Sequence, residues 1–263
     1  YENLGILFNI EIPDYIIISN ATEHHYSTYQ ELKRLGFKGL LLIEKPVFGA
    51  YNSVEKFCPT FVAYQLRFHP VLREMYRVCA NQNFLACNIY TGSYLPDWRP
   101  GQDYSAVSSS SGSGGGALRE LSHEWDYLFW LSGQWRSVSA IIGHFSSLDI
   151  QNDDVSGLLV QTNGCPIATV QLNYLDRIGR REIILILEDT TIHADLTNNT
   201  LLINETKINF SVERNDTYRA MHKAILEGNH EQVCSLEEGM EILEFVDSAE
   251  LSSHTGMRQE RFT

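Results

Sequence analysis

Pro13-Asp14-Tyr15-Ile16-Ile17-Ile18-Ser19-Asn20 and, one helical segment later, Gly39-Leu40-Leu41-Leu42-Ile43-Glu44 decide the reading of the fold. Each is a short apolar run bounded by turn-forming residues, the pattern of a strand buried on both faces of a parallel sheet. Between them, Tyr26, Tyr29, Leu32 and Leu35 recur at helical spacing, predicting a helix over 24–35 that Gly36 stops. Strand, helix and strand make one crossover unit of a doubly wound α/β sheet.

Downstream, 61–65 reads as another strand, and His69-Pro70 opens a helix running to about Ala80. From Phe84 the period changes, with strands expected at 84–94, 137–146, 155–162, 167–175, 182–188 and 191–196. Asn163-Gly164 marks a hairpin between two of them. The expected architecture is therefore a partial Rossmann-type cofactor domain over 1–81 and an α+β domain with a large, mostly antiparallel sheet over 82–263. The C-terminal helix is free to pack back on the first domain. One helix is expected over 116–131, entered from the Ser- and Gly-rich stretch 108–116, which reads equally as a flexible loop or as a substrate-side loop. Helices follow over 216–252, the second opened by a capping box at Ser235-Leu236-Glu237-Glu238.

Composition narrows the function. Of 263 residues, 43% are hydrophobic and 20% charged, as in globular chains. The net charge of −13 disfavours nucleic acid and anionic lipid as partners, and the apolar runs are far short of a membrane span. Five dispersed cysteines, with no Cys-x-x-Cys pair, predict reduced thiols in a cytoplasmic protein and no metal site. Triplets such as Asn204-Glu205-Thr206 are read as chance matches to a glycosylation signal.

Three segments carry residues suited to chemistry. Glu44-Lys45-Pro46 leaves a buried strand at its carboxyl end, where open α/β sheets bind ligands. A solvated loop lysine is the plain alternative. On a helix, Glu120, His123, Asp126 and Tyr127 fall near one polar face, and a histidine there suits proton transfer or is simply a hydrogen-bonded structural residue. Arg67 follows a strand directly, placed to bind a ligand oxygen or to pair with an acidic side chain.

Taken in order, 13–25, Glu44-Lys45-Pro46, Arg67-Phe68-His69-Pro70 and the Gly-rich helix bearing His123 resemble the Gfo/Idh/MocA family of oxidoreductases. Segments 94–104 and 121–127 look like a branch of that family associated with bacterial surface-sugar biosynthesis. The resemblance implies hydride transfer between NAD or NADP and a hydroxyl-bearing carbon of a sugar or sugar nucleotide. It implies Lys45 and His123 as catalytic residues, with Glu120 as a possible orienter of the histidine. Ser19, Asn20, Ala21, His25, Glu44, Lys45 and Pro46 would contact the cofactor. Arg67, Trp98, Arg99, Tyr104, Asp126 and Tyr127 would contact the substrate. A homodimer or homotetramer built on the open face of the large sheet is expected. Two further readings stand beside this one: NAD-assisted elimination or glycoside cleavage on the same fold, and a non-catalytic sugar-binding relative.

Two departures bear on these expectations. Arg119 stands where many family members carry an aspartate four residues before the histidine. No Gly-x-Gly-x-x-Gly turn precedes Pro13, leaving the cofactor domain roughly 60 residues short of a doubly wound unit. The native polypeptide is therefore expected to extend upstream of Tyr1 and to carry that turn there.

Overall fold

The computed structural model describes residues 4–51, 53–80, 82–106 and 115–261. It contains two sheets. The smaller is parallel, in the order β1 (Tyr15–Ile18), β2 (Leu40–Ile43), β3 (Thr60–Val62). A helix α1 (Leu4–Ile10) precedes it and α2 (His25–Arg34) makes the crossover, burying His25, Tyr29 and Leu32. The expected strand–helix–strand unit is thus present. No helix occupies the described residues between Phe48 and Phe61, where the short connection leaves no room for one.

A 3-10 turn at Gln65–Phe68 leads from β3 into α3 (Pro70–Cys79), whose first turn is capped by the His69 side chain accepting from the Val71 amide. The chain then enters the larger sheet through β4 (Ala86–Gly92). After α4 (Ala117–Glu120) and α5 (His123–Ser132) come β5 (Trp135–Gly143), β6 (Val155–Thr162), β7 (Ala168–Asn173), β8 (Arg180–Ile186) and β9 (Thr191–Asp195). A meander of β10 (Thr200–Ile203) and β11 (Thr206–Asn209) follows, then α6 (Asp216–Leu226), α7 (Leu236–Thr255) and β12 (Gln259–Glu260).

The sheet order is β11-β10-β9-β8-β4-β7-β6-β5-β12. Its pairs are antiparallel except β4 with β7, which run parallel because β4 enters from the other sheet and inserts at the centre. Strands β10 to β12 are only two to four residues long, too short to carry a clear alternation.

Strand alternation gives the large sheet two unlike faces. Val138, Leu158, Val170, Ile89, Ile183, Ala194 and Leu201 point to the helices and are buried. They join Tyr29, Leu32 and Ile43 beside the small sheet in one continuous hydrophobic cluster, so the two sheets share a core. The C-terminal part returns to the small sheet. Val62 N–H donates to Cys234 O at 2.9 Å, and Phe61 bridges Ser235, so this segment caps the exposed edge of β3. At Gly239 of α7 an added Cβ would collide with Val62, showing how closely helix and strand approach. On the other side, α6 covers Leu42, Phe61 and Ala63 with Met221 and Ile225.

The helix expected over 116–131 is broken. Leu121 and Ser122 leave the helical path between α4 and α5, with Leu121 at ψ 42°. The Trp125 indole N–H donates to the Leu118 carbonyl at 3.1 Å, satisfying an acceptor that the break leaves without its helical partner. Glu120 and His123 therefore belong to different helices rather than to one polar stripe. The Ser-rich stretch of 108–114 lies outside the described residues.

Candidate active site

A cavity of about 650 Å³ lies at the carboxyl end of β2, against the end of β4 and the start of β8 in the middle of the large sheet. Lys45, Glu120 and His123 line it, together with Trp98, Arg99 and Arg181. Lys45 leaves β2 through a cis peptide to Pro46. Its Nζ donates to the Glu120 carbonyl at 2.7 Å and stands 3.3 Å from the Glu120 carboxylate. Glu120, expected as an orienter of His123, is instead the partner of Lys45.

His123 is the first residue of α5 and is 7% exposed. Its ring meets Tyr64 edge-on at 5.5 Å, and its Nδ1 is buried with no hydrogen-bond partner among the described residues. Burial, then Lys45, then Arg181 hold its pKa well below the ordinary 6.5, so the neutral imidazole persists at physiological pH. Tyr64 in turn donates to Ser122 at 3.3 Å, immediately before the histidine. Arg119, in the position where an aspartate was looked for, points away and binds Asp247 and Glu250 of α7, both at 2.7 Å.

The expected cofactor residues divide into two groups. Ser19, Asn20 and Ala21 are exposed just beyond the end of β1, and Lys45 is half-buried beyond the end of β2. His25 is buried, with Nδ1 3.0 Å from Pro46 O and Nε2 3.0 Å from Asn20 O. It ties the two strand-end loops together instead of offering itself to a ligand, and the carbonyl of Pro46 is engaged with it. Glu44 lies by Tyr15 and Tyr218, whose phenols it helps to raise, and not among the cavity residues.

Among the expected substrate residues, Trp98 and Arg99 line the cavity. Trp98 is anchored by its indole N–H to Ser93 Oγ at 2.7 Å. Arg67, Asp126 and Tyr127 do not reach it. Arg67, 2% exposed, donates to both carboxylate oxygens of Asp126 and to Glu238. A buried guanidinium requires such partners, and of the two readings of Arg67 it is the ion pair that the structure holds. Burial pushes the Asp126 carboxyl up to about 6 against the pull of Arg67. Tyr127 is wholly enclosed, and burial raises its phenol well above the usual range. Tyr104 accepts a hydrogen bond from the Asp149 amide at 3.2 Å, away from the cavity.

Other cavity residues were not expected there; in the sequence His69 reads only as a helix opening and as part of a family segment. Arg180, Arg181, His69 and Thr91 line it. Glu124, wholly buried behind it, accepts from Thr91 Oγ1 at 2.7 Å and from Arg181 Nε at 2.9 Å. Glu124 falls outside the polar face of an unbroken helix. Arg181 belongs to a strand remote in sequence, and only the sheet order brings β8 beside β4.

No family model and no curated protein matches the sequence. Solved structures match the fold. WlbA dehydrogenase from Bordetella pertussis, in complex with NADH and UDP-GlcNAcA, superposes with a TM-score of 0.80 at 18% identity, covering 99% of this chain and 83% of that one. UDP-N-acetylglucosamine 3-dehydrogenase GnnA from Acidithiobacillus ferrooxidans gives 0.76 at 16% identity, covering 97% and 82%. An oxidoreductase from Thermotoga maritima gives 0.79 at 14%, covering 99% and 82%. The chain thus has the two-domain fold of these dehydrogenases.

The buried Arg67 network makes a stability prediction. Asp126→Ala is expected to destabilise the protein by roughly 3–5 kcal/mol, because it leaves a buried guanidinium half-paired. The double variant Arg67→Met/Asp126→Leu should recover most of that loss. Urea unfolding of the three proteins measures both effects.

Proposed function

We propose that the protein is an NAD(P)-dependent oxidoreductase that transfers a hydride to or from a hydroxyl-bearing carbon of a sugar or sugar nucleotide. The observation carrying this reading is the convergence of Lys45 and a neutral, buried His123 on one cavity at the carboxyl end of a parallel strand. The likeness to solved dehydrogenases, one in complex with NADH and a UDP-sugar acid, supports it. So does the resemblance of 94–104 and 121–127 to the surface-sugar branch.

The residues present fit a nicotinamide dinucleotide. Ser19, Asn20 and Ala21 open onto the strand ends beside Lys45, where a dinucleotide crosses such a sheet. The unpartnered Nδ1 of His123 leaves an imidazole not committed to the protein. When bound, the nicotinamide ring supplies the hydride acceptor or donor. The protein's own residues position and polarise. Lys45, held by Glu120, hydrogen-bonds the reacting hydroxyl and stabilises negative charge developing on its oxygen. His123, kept neutral by burial and two nearby cations, accepts the hydroxyl proton. Trp98 walls the cavity and excludes water.

His123→Asn is expected to lower turnover about 10²–10⁴-fold and Lys45→Ala about 10²–10³-fold, with the fold retained. Because His123 titrates below the ordinary value of 6.5, the acid limb of kcat/KM should fall below that pH. Steady-state assays over a pH series check all three, and full activity in His123→Asn would leave it a structural histidine.

The outer face of the large sheet supports self-association. By register, Ile141, Leu159, Ile184 and Ile186 point away from the helices, and each is exposed, Ile141 at 72%. Apolar rows on an open sheet call for cover, and a second copy of the same face supplies it through a two-fold contact. Light scattering should find a dimer or tetramer at micromolar concentration, and Ile141→Glu/Leu159→Glu should yield a monomer.

A further inference from the structure

The cavity concentrates positive charge in a chain whose net charge is −13. Lys45, Arg99, Arg180 and Arg181 line it, and among the described residues Glu120 is the single carboxylate in the lining. Lys45 is matched by Glu120. The three arginines are matched by two carboxylates, since Arg180 pairs with Asp176 at 2.8 Å and Arg181 with Glu124 at 2.9 Å. Arg99 makes no side-chain hydrogen bond or ion pair among the described residues.

The way Arg181 is held bears most directly on a ligand. Glu124 is completely buried, and Arg181 Nε answers it from the cavity side. A guanidinium carries five N–H donors, and the Glu124 bond uses the Nε–H alone. The remaining groups are kept in place by a rigid, buried anchor, so their ordering entropy is already spent before a ligand arrives. Arg180 is fixed similarly, by Asp176 and by stacking 4.6 Å over the Tyr90 ring. A sugar bearing only hydroxyls has no need of this. A planar guanidinium with free N–H groups matches a carboxylate or phosphate instead.

We infer that the substrate carries an anionic group, a carboxylate or a phosphate, seated on Arg99, Arg180 and Arg181 while its reacting hydroxyl meets Lys45 and His123. This rests on the reading of the cavity as the substrate site, and adds the charge class of the substrate and the residues that select it.

Calorimetric titration of the full chain with glucose, glucuronate and glucose 6-phosphate tests the inference without requiring turnover. At least one anion should bind about tenfold or more tightly than glucose, and added salt should weaken it. Preference for glucuronate assigns a carboxylate, and preference for the phosphate assigns a phosphoryl group. Arg99→Gln and Arg180→Gln, both at exposed positions, should each weaken that anion about 10- to 100-fold, several-fold more than they weaken glucose. Arg181→Lys keeps the charge beside Glu124 but loses the fork, and should weaken the anion too. Equal affinity for glucose and both anions, no binding of either anion, or unchanged anion affinity in Arg99→Gln and Arg180→Gln overturns the inference. Anion selectivity without any hydride transfer would instead refute the oxidoreductase reading alone.

Discussion

The Arg67 guanidinium, buried to 2%, is the constraint on which the rest of the structure turns. It starts from the turn after β3, grips Asp126 on α5 through Nε and Nη2, and reaches Glu238 on α7 through Nη1 at 2.8 Å. The turn leaving the small sheet, the helix bearing His123 and the C-terminal helix thus meet at one cation. Burying it without both carboxylates would cost several kcal/mol, so the three elements adopt a single relative placement. Glu238 serves twice: its other oxygen accepts from the Ser235 amide at 2.8 Å and closes the capping box of α7. The start of α7, the end of β3 and the start of α5 are thereby locked as a unit, and His123 is held where Lys45 arrives from β2.

The same physical logic recurs around the cavity with different consequences. Each charged side chain drawn out of water takes a partner: Lys45 with Glu120, Arg181 with Glu124, Arg119 with Asp247 and Glu250. His123 takes none at Nδ1 and stays neutral instead, since burial beside two cations disfavours a third positive charge. Fixed cations around a neutral proton acceptor are an arrangement that favours negative charge on a ligand. The break at Leu121 and Ser122 makes this possible. A continuous helix would place Glu120 and His123 on one stripe, whereas the break gives Glu120 to Lys45.

The segments read most reliably were those with a strong local period. The apolar runs at 15–18 and 40–43 both form strands, although only the second is buried as expected: β1 is an edge strand that buries Ile18 and leaves Ile17 45% exposed. The capping box at Ser235 named the start of α7 from four residues. Lys45 was visible because the carboxyl end of a buried strand is where ligands sit in such sheets. The polar face of 120–127 was misleading beyond His123. It assumed an unbroken helix, and nothing local in Leu121-Ser122 announces a break that a Trp125 side-chain hydrogen bond compensates.

Alone, the sequence determined the class of fold and the two strand ends, because each follows from residues close together in the chain, whereas Lys45 and His123 became a candidate pair only through the family resemblance. Tertiary structure decided which charges are available. Arg67 and Asp126 look like ligand contacts in isolation, and they neutralise each other only because β3 and α5 are packed together. Arg181 looks like a solvated strand residue, and it becomes a cavity wall only because β8 pairs with β4 and meets Glu124 from α5. Partners 57 to 59 residues apart in sequence leave no periodic trace. Their pairing is set by the desolvation of charge within the folded core, a property that exists only once the core has formed.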